Sequence, residues 1–412
     1  MEFGTSGRGV LAPKTLTLIL FLLSQIQKPS SSQPLHSDPI FSQSPTPPPT
    51  SMLPNNTTTN TSSSTHLRRI LLGILFGSLT GLFASIVFIF LIRLFILFAN
   101  RTPILKGPVI FSPRISPKSL QPAIASQCQS TNLLGSSTVG QYYRVVLDDS
   151  FVVAVKRIEN NCTGASPMRH SNALKRQVQR ELELLAKVKH KNVMSLRAYV
   201  RDHDRFSLIY DYIPSGSLED VMKKLRSQQL SIGWEVRHRI AVGVVKGLRY
   251  LHFECSPRIL HFRLKPTNVM LSEEFEPMLG DCGLARLVPV CSDAAVSACY
   301  VAPECFQSRR YTDKSDVFSF GMILAVLLTG KDPFDPFFSG ETGRGGLGRW
   351  LRHLQQAGEA RDALDKGIIG EEMEEDEMLM AIRIALVCLS DLPADRPSSD
   401  ELVAMLTQLH SF

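Results

Sequence analysis

Two short runs gather the side chains best suited to charged oxygen: His261-Phe-Arg263-Leu-Lys265-Pro-Thr-Asn268 and Asp281-Cys-Gly283. Arg263 stays charged at any physiological pH and presents its donors in a fixed fork, so it binds carboxylate or phosphate oxygens and accepts no proton. A pair with Asp281, or with a phosphate oxygen, is the bonding it offers. Upstream, Lys156 ends the β-branched run Val152-Val-Ala-Val-Lys156, and Gly135-Ser-Ser-Thr-Val-Gly140 precedes it. These two segments read as a strand, a turn and a second strand. Glu181 lies in a helical pattern from Gln177 to Val188.

The order of these pieces says more than any one of them. Gly135 to Gly140, Lys156, Glu181, Asn268, Asp281-Cys-Gly283, Ala302-Pro-Glu304 and Asp313-Lys-Ser-Asp316-Val-Phe-Ser-Phe-Gly321 follow one another along the chain. The series resembles the signature set of the protein kinases. Asn192-Val-Met-Ser-Leu-Arg-Ala-Tyr199 and Tyr210-Asp-Tyr-Ile-Pro-Ser-Gly-Ser-Leu218 are similar to the plant receptor-like kinase branch. The resemblance covers residues 133–412 and implies an α+β fold, a bilobal protein-kinase-like domain.

It also implies roles. Gly135 and Gly140 belong to a phosphate loop, Lys156 pairs with nucleotide phosphates, and Glu181 is its helix-borne partner. Lys265 and Asn268 are residual nucleotide contacts, and Asn268 and Asp281 take the magnesium-ligand positions, which makes ATP and Mg2+ the implied cofactors with their occupancy left open. Glu304, Asp316 and Arg396 are scaffold residues of the larger lobe. The catalytic aspartate of H-R-D-x-x-x-x-N is replaced by Arg263. A positioned base contributes about 10² to 10⁴ in rate, roughly 3 to 5 kcal/mol of barrier, so its loss predicts a pseudokinase.

Three further departures weaken the nucleotide site. Ser137 stands at the middle glycine of the loop, where a missing Cβ lets backbone approach phosphate. Tyr142 stands where a small residue covers the adenine, and its ring would crowd the pocket. Cys282 replaces the phenylalanine of D-F-G. One consequence to test is a locked site in which Arg263 bridges Asp281.

Two apolar segments precede this domain. Leu16 to Leu23 follows Arg8 and Lys14 and reads as the core of a signal peptide over residues 1–25, with an uncleaved anchor as the alternative. Residues 26–68 form a short Ser/Thr/Pro-rich stalk, too poor in large apolar side chains to build a core and thus expected to be disordered. Asn55, Asn56 and Asn60 each begin an N-x-[ST] glycosylation triplet there. Residues 69–98 read as one transmembrane helix. More Lys and Arg follow it than precede it, which places the N-terminus outside and the kinase-like domain in the cytosol of a single-pass protein; the signal peptide implies entry through the endoplasmic reticulum, and the resemblance to receptor-like kinases implies the plasma membrane. Gly73, Gly77 and Gly81 repeat every four residues and offer a face for a second helix. Residues 99–132, punctuated by proline, read as an extended juxtamembrane linker.

Composition excludes other classes. The net charge of +7 comes from basic residues spread along the chain, without the tract or aromatic platform that nucleic acid would need. All eight cysteines follow the long apolar segment, which suits a reducing compartment for the large domain. The acidic run Glu371 to Glu377 reads as a helix start or as a docking surface.

The whole-chain likeness rests on the short stalk, the single span, Thr102-Pro-Ile-Leu-Lys-Gly-Pro-Val109 and Glu374-Glu-Asp-Glu-Met-Leu-Met-Ala381. It implies signalling in meristem maintenance below small secreted CLE-type peptides. The implied partner is a leucine-rich-repeat receptor-like protein without a kinase domain, met through transmembrane and juxtamembrane helices; other receptor kinases or a second copy are further partners. Two alternatives stand beside the scaffold reading: a competent Ser/Thr kinase with a compensating base, and an export partner of the receptor-like protein.

Overall fold

The β-branched residues Val152, Val153, Val155 and Ile158 fall on both faces of a strand, and the fold supplies a different cover to each face. The computed structural model describes residues 62–99, 107–137, 140–148, 150–159, 172–202, 205–284, 298–308, 310–339, 346–369 and 372–409. The expected signal peptide and residues 26–61 of the expected stalk, with Asn55, Asn56 and Asn60, lie outside these residues; the last stretch of the stalk, 62–68, is helical and not disordered, because the helix that carries the apolar segment begins at Ser62.

Helix α1, Ser62–Ala99, contains the apolar stretch Leu67–Leu97, 31 residues at a mean hydropathy of 2.4. Among the described residues it is the one helix long and apolar enough to cross a bilayer. Its Ser78, Thr80 and Ser85 hydroxyls donate to helix carbonyls at 2.8–2.9 Å, so they are satisfied without water. A Cβ added at Gly73, Gly77 or Gly81 would meet nothing within 4 Å.

The next segment corrects an expectation. Residues 107–132 are not an extended linker but part of the smaller lobe. β1, Val109–Ile110, is followed by α2, Pro117–Gln127, with proline in the first turn, where its missing N–H costs nothing. Then come β2 (Leu133–Ser137), β3 (Gly140–Val146), β4 (Val152–Glu159), α3 (Asn172–Ala186), β5 (Ala198–Asp202) and β6 (Arg205–Asp211). The six strands form one sheet in the order β1-β5-β6-β4-β3-β2, every pair antiparallel.

Val153 and Val155 of β4, with Tyr143 and Val145 of β3, join Ile115, Leu120, Ala123 and Ile124 from the α2 segment in one buried cluster. Gln127 fixes the end of α2 by a two-way amide bond to the Val146 backbone, both distances 2.8 Å. The opposite face carries Ile158 of β4 against Val178 and Leu182 of α3. By the two-residue period of a strand, Lys156 and Tyr142 belong to that second face.

The larger lobe is helical. It comprises α4 (Leu218–Arg226), α5 (Trp234–Arg249), the hairpin β7 (Val269–Leu271) and β8 (Pro277–Leu279), α6 (Pro303–Ser308), α7 (Asp313–Thr329), α8 (Pro336–Ser339), α9 (Leu347–Ala357), α10 (Glu372–Cys388) and α11 (Ser399–Gln408). α7 is buried all round from Ser315 to Thr329, as a central core helix must be. The acidic run opens α10, where Glu377 accepts from Trp234 Nε1 at 2.9 Å and Glu375 pairs with Arg361 at 2.8 Å. These two carboxylates are thus engaged within the fold. The six described cysteines are free thiols.

Candidate functional site

The cleft residues sit where strand register and loop geometry put them. β3 and β4 pair Tyr142 directly with Lys156, so the two side chains rise side by side from one face of the sheet. Gly140, at the start of β3, lies against β4 so closely that a Cβ there would stand 2.2 Å from the Arg157 carbonyl oxygen, which only glycine permits. From the larger lobe, Asp281 follows β8 with a left-handed backbone, φ 61°, a conformation that Asp tolerates better than most residues.

These elements close a buried triangle. The Lys156 ammonium forms an ion pair with Asp281 Oδ2 and donates to the Tyr142 hydroxyl at 2.9 Å. The Tyr142 hydroxyl in turn donates to Asp281 Oδ1 at 2.5 Å. Lys156 Nζ also lies 4.7 Å from the centre of the Tyr142 ring, a cation–π contact. The side chains of Lys156 and Asp281 are 0% and 3% exposed, so this is an interior ion pair shielded from water.

Charge states follow from that burial. Burial alone pushes the Asp281 carboxyl up, but the Lys156 charge and the hydrogen bonds from Lys156 and Tyr142 hold it below the usual carboxylate range. Burial presses the Lys156 ammonium down, Asp281 opposes this, and the nearby Arg263 and Lys265 charges add to the depression. Tyr142 is pushed well above its ordinary value by burial and then by Asp281, so it remains a neutral donor.

Two sequence expectations are revised here. The resemblance assigns Glu181 of α3 as the partner of Lys156; the structure gives the ammonium to Asp281 and Tyr142 instead. The bridge expected between Arg263 and Asp281 is not the contact found, because Asp281 accepts from Tyr142 and Lys156 instead. Gly135 sits in β2 opposite Tyr142. Arg263 and Lys265 are half-buried in the loop. Asn268 is buried, and its amide donates to the Arg263 carbonyl at 2.8 Å while its own carbonyl accepts from Gly280 at 2.8 Å.

The loop is held from below. Asp316 on α7 accepts from the backbone N–H groups of His261 at 2.8 Å and Phe262 at 2.9 Å, and from His252 Nε2 at 3.0 Å. His252 is fixed in turn by Ser399 at 3.0 Å. Arg396 grips Glu304 through two parallel bonds of 2.8 and 2.9 Å and also donates to the carbonyls of Ser390 and Lys314. His261 is fully buried, with neither ring nitrogen hydrogen-bonded.

Sequence reasoning overlooked Phe262. It holds the arginine place of H-R-D, where kinases of the activated type pair a loop phosphate, and here it takes a left-handed backbone, φ 67°. Its ring packs edge-on to Tyr311 at 5.5 Å. An aromatic beside an arginine in that loop was the signal.

As arranged, the residues do not fit a magnesium nucleotide. The carboxylate that would ligate the metal is bonded at both oxygens, the lysine that would meet phosphate is neutralised, and a cation stands at the base position.

Comparison with known proteins gives these features a context. The protein kinase domain model matches residues 128–405. The chain is 62% identical over 323 residues to the inactive leucine-rich repeat receptor-like protein kinase CORYNE of Arabidopsis thaliana, covering 78% of this chain and 79% of that one. It is 32% identical over 318 residues to the Arabidopsis leucine-rich repeat receptor-like serine/threonine/tyrosine-protein kinase SOBIR1, covering 74% of this chain and 49% of that one. Among solved structures, the pseudokinase domain of BIR2, an immune regulator of the RLK/Pelle family, superposes with a TM-score of 0.60 at 26% identity, covering 75% of this chain and 91% of that chain.

Proposed function

The chain belongs to the protein kinase family, and from that premise we propose that it is a membrane-anchored receptor-like pseudokinase working as the cytosolic scaffold of a peptide-receptor complex. The observation that carries this reading is the closed triangle of Lys156, Tyr142 and Asp281 beside Arg263. It replaces the arrangement that would bind and transfer phosphate with one that joins the two lobes. The relatives support it: one is named an inactive kinase and the structural neighbour is titled a pseudokinase.

The finer parts of the proposal are these. α1 spans the plasma membrane once, after passage through the endoplasmic reticulum, with the kinase-like domain inside. The partner is a leucine-rich-repeat receptor-like protein that has no kinase domain, gripped along the Gly73, Gly77 and Gly81 face, and the complex answers CLE-type peptides in meristem maintenance. The Ser/Thr/Pro-rich stalk supports this, because a segment too poor in apolar residues to build a core does not recognise a ligand by itself.

The full chain in detergent, given labelled ATP, Mg2+ and a generic protein acceptor, is expected to transfer no phosphate. Transfer that disappears in Lys156→Ala would establish the competing kinase reading. Loss of the receptor-like protein from pull-downs with Gly77→Leu or Gly81→Leu is expected if the helix face is the grip. Retention of the partner by both variants overturns that part.

A further inference from the structure

The segment that docks on the smaller lobe carries two copies of one triplet, Ser112-Pro113-Arg114 and Ser116-Pro117-Lys118. The buried side of this segment is accounted for by Ile115, Leu120, Ala123 and Ile124, which lie in the sheet's core. What faces outward is Pro113, Arg114, Ser116, Pro117 and Lys118, all exposed, while Ser112 is half-buried and its carbonyl closes a turn with Ile115 N–H at 3.3 Å. The two serines are therefore unequal. Ser116 is open to solvent with extended backbone, φ −83° and ψ 131°, followed directly by proline and a cation. That extended geometry is the one the residue before a proline is driven to, and it leaves the hydroxyl open at the edge of the helix.

We infer that Ser116 is a phosphoacceptor for a proline-directed Ser/Thr kinase, and that phosphate at this place clamps the docked segment to the smaller lobe. In the transfer, the bond from the γ-phosphorus of ATP to its bridging oxygen breaks, a bond from Ser116 Oγ forms, the hydroxyl proton passes to the base of the transferring kinase, and ADP leaves.

The consequence follows from the position of the serine in the helix. Ser116 is the N-cap of α2, yet its hydroxyl makes no capping bond and the first turn contains no acidic residue. Pro117 has no N–H, which leaves Lys118 and Ser119 as first-turn donors without a side-chain cap. A phosphate on Ser116 brings two negative charges and acceptor oxygens within reach of those N–H groups, with the cations Arg114 and Lys118 on either side. Since α2 supplies Leu120, Ala123 and Ile124 to the core of the lobe, a firmer α2 is a firmer lobe.

The test uses the full chain in detergent, a purified proline-directed Ser/Thr kinase and labelled ATP, with phosphosites mapped by mass spectrometry. Ser116→Ala and Pro117→Ala are each expected to remove most of the label mapped to residues 107–127, whereas Ser112→Ala keeps most of it and Ser116→Thr restores an acceptor. Amide hydrogen exchange across residues 119–127 is expected to slow about 2- to 5-fold on phosphorylation, the effect of charge at a helix N-terminus. Label that is unchanged in both Ser116→Ala and Pro117→Ala overturns the acceptor assignment. Label on Ser116 with unaltered exchange in α2 overturns the clamp.

Discussion

Replacing Lys156 with methionine separates a lysine waiting for nucleotide from a lysine that holds a fold together. In a cleft open to ATP such a change removes activity and leaves stability nearly untouched. Here the ammonium is 0% exposed and its loss leaves the Asp281 carboxylate, 3% exposed, with the single remaining bond from Tyr142. Removing one partner of a buried pair destabilises by about 3 to 5 kcal/mol, because the other charge is left uncompensated. In a domain of this size that lowers the unfolding midpoint by roughly 6 to 20 °C. Asp281→Leu should cost a similar amount, while Lys156→Met/Asp281→Leu, which removes both charges, should recover much of the loss. Thermal unfolding of the full chain, followed through its two tryptophans, gives the double-mutant cycle directly. A cost of less than about 1 kcal/mol for Lys156→Met, or single costs that add within about 0.5 kcal/mol, would refute the interior lock.

Other consequences are open to measurement. Tyr142→Val removes both the ring and the hydroxyl that occupies Asp281, so calorimetric titration should show at least a tenfold gain in magnesium-dependent nucleotide affinity; an unchanged affinity would mean that tyrosine is not the plug. Arg396→Ala breaks the two parallel hydrogen bonds to Glu304 and two carbonyl contacts, with an expected loss of about 3 to 5 kcal/mol in urea unfolding, and a loss below about 1 kcal/mol contradicts its anchoring role. Burial holds the His261 imidazole below its ordinary value, against the opposing pull of Asp316 and Asp281 and with that of His252. The unfolded chain then takes up this proton first as the solution is acidified, so stability should fall as pH drops below about 6.5 and show no dependence on this group above it. His261→Leu should flatten that part of the profile, and an identical slope in the variant would exclude His261 as its source.

Much of this architecture is legible in the chain, and the exceptions have physical reasons. The kinase-like fold can be read because its marked residues stand in fixed order, and each is tied to a turn, a strand or a helix end that accepts few alternatives. Lys156 and Asp281 could be recognised individually, but their mutual bond could not, since it spans the two lobes. Tyr142 was visible as an oversized residue, and the strand pairing that sets it beside Lys156 was not. The juxtamembrane segment departs from the expectation because prolines in a sequence suggest extension. Pro117 was in fact the first residue of a helix, and Leu120, Ala123 and Ile124 carried the i, i+3, i+4 spacing of its buried face.

The triangle in the cleft also has a bearing on recognition. Kinase lobes ordinarily rock about their connection, so a partner that spans both must select one angle among many and loses affinity in proportion to the fraction not at that angle. A bond from the sheet of one lobe to the loop of the other removes that freedom before any partner arrives. Because Tyr142 is held by strand register and not by a mobile loop, the restriction is a property of the sheet itself. A domain held in this way presents the surfaces of its two lobes at one spacing, set by the bond between Lys156 and Asp281.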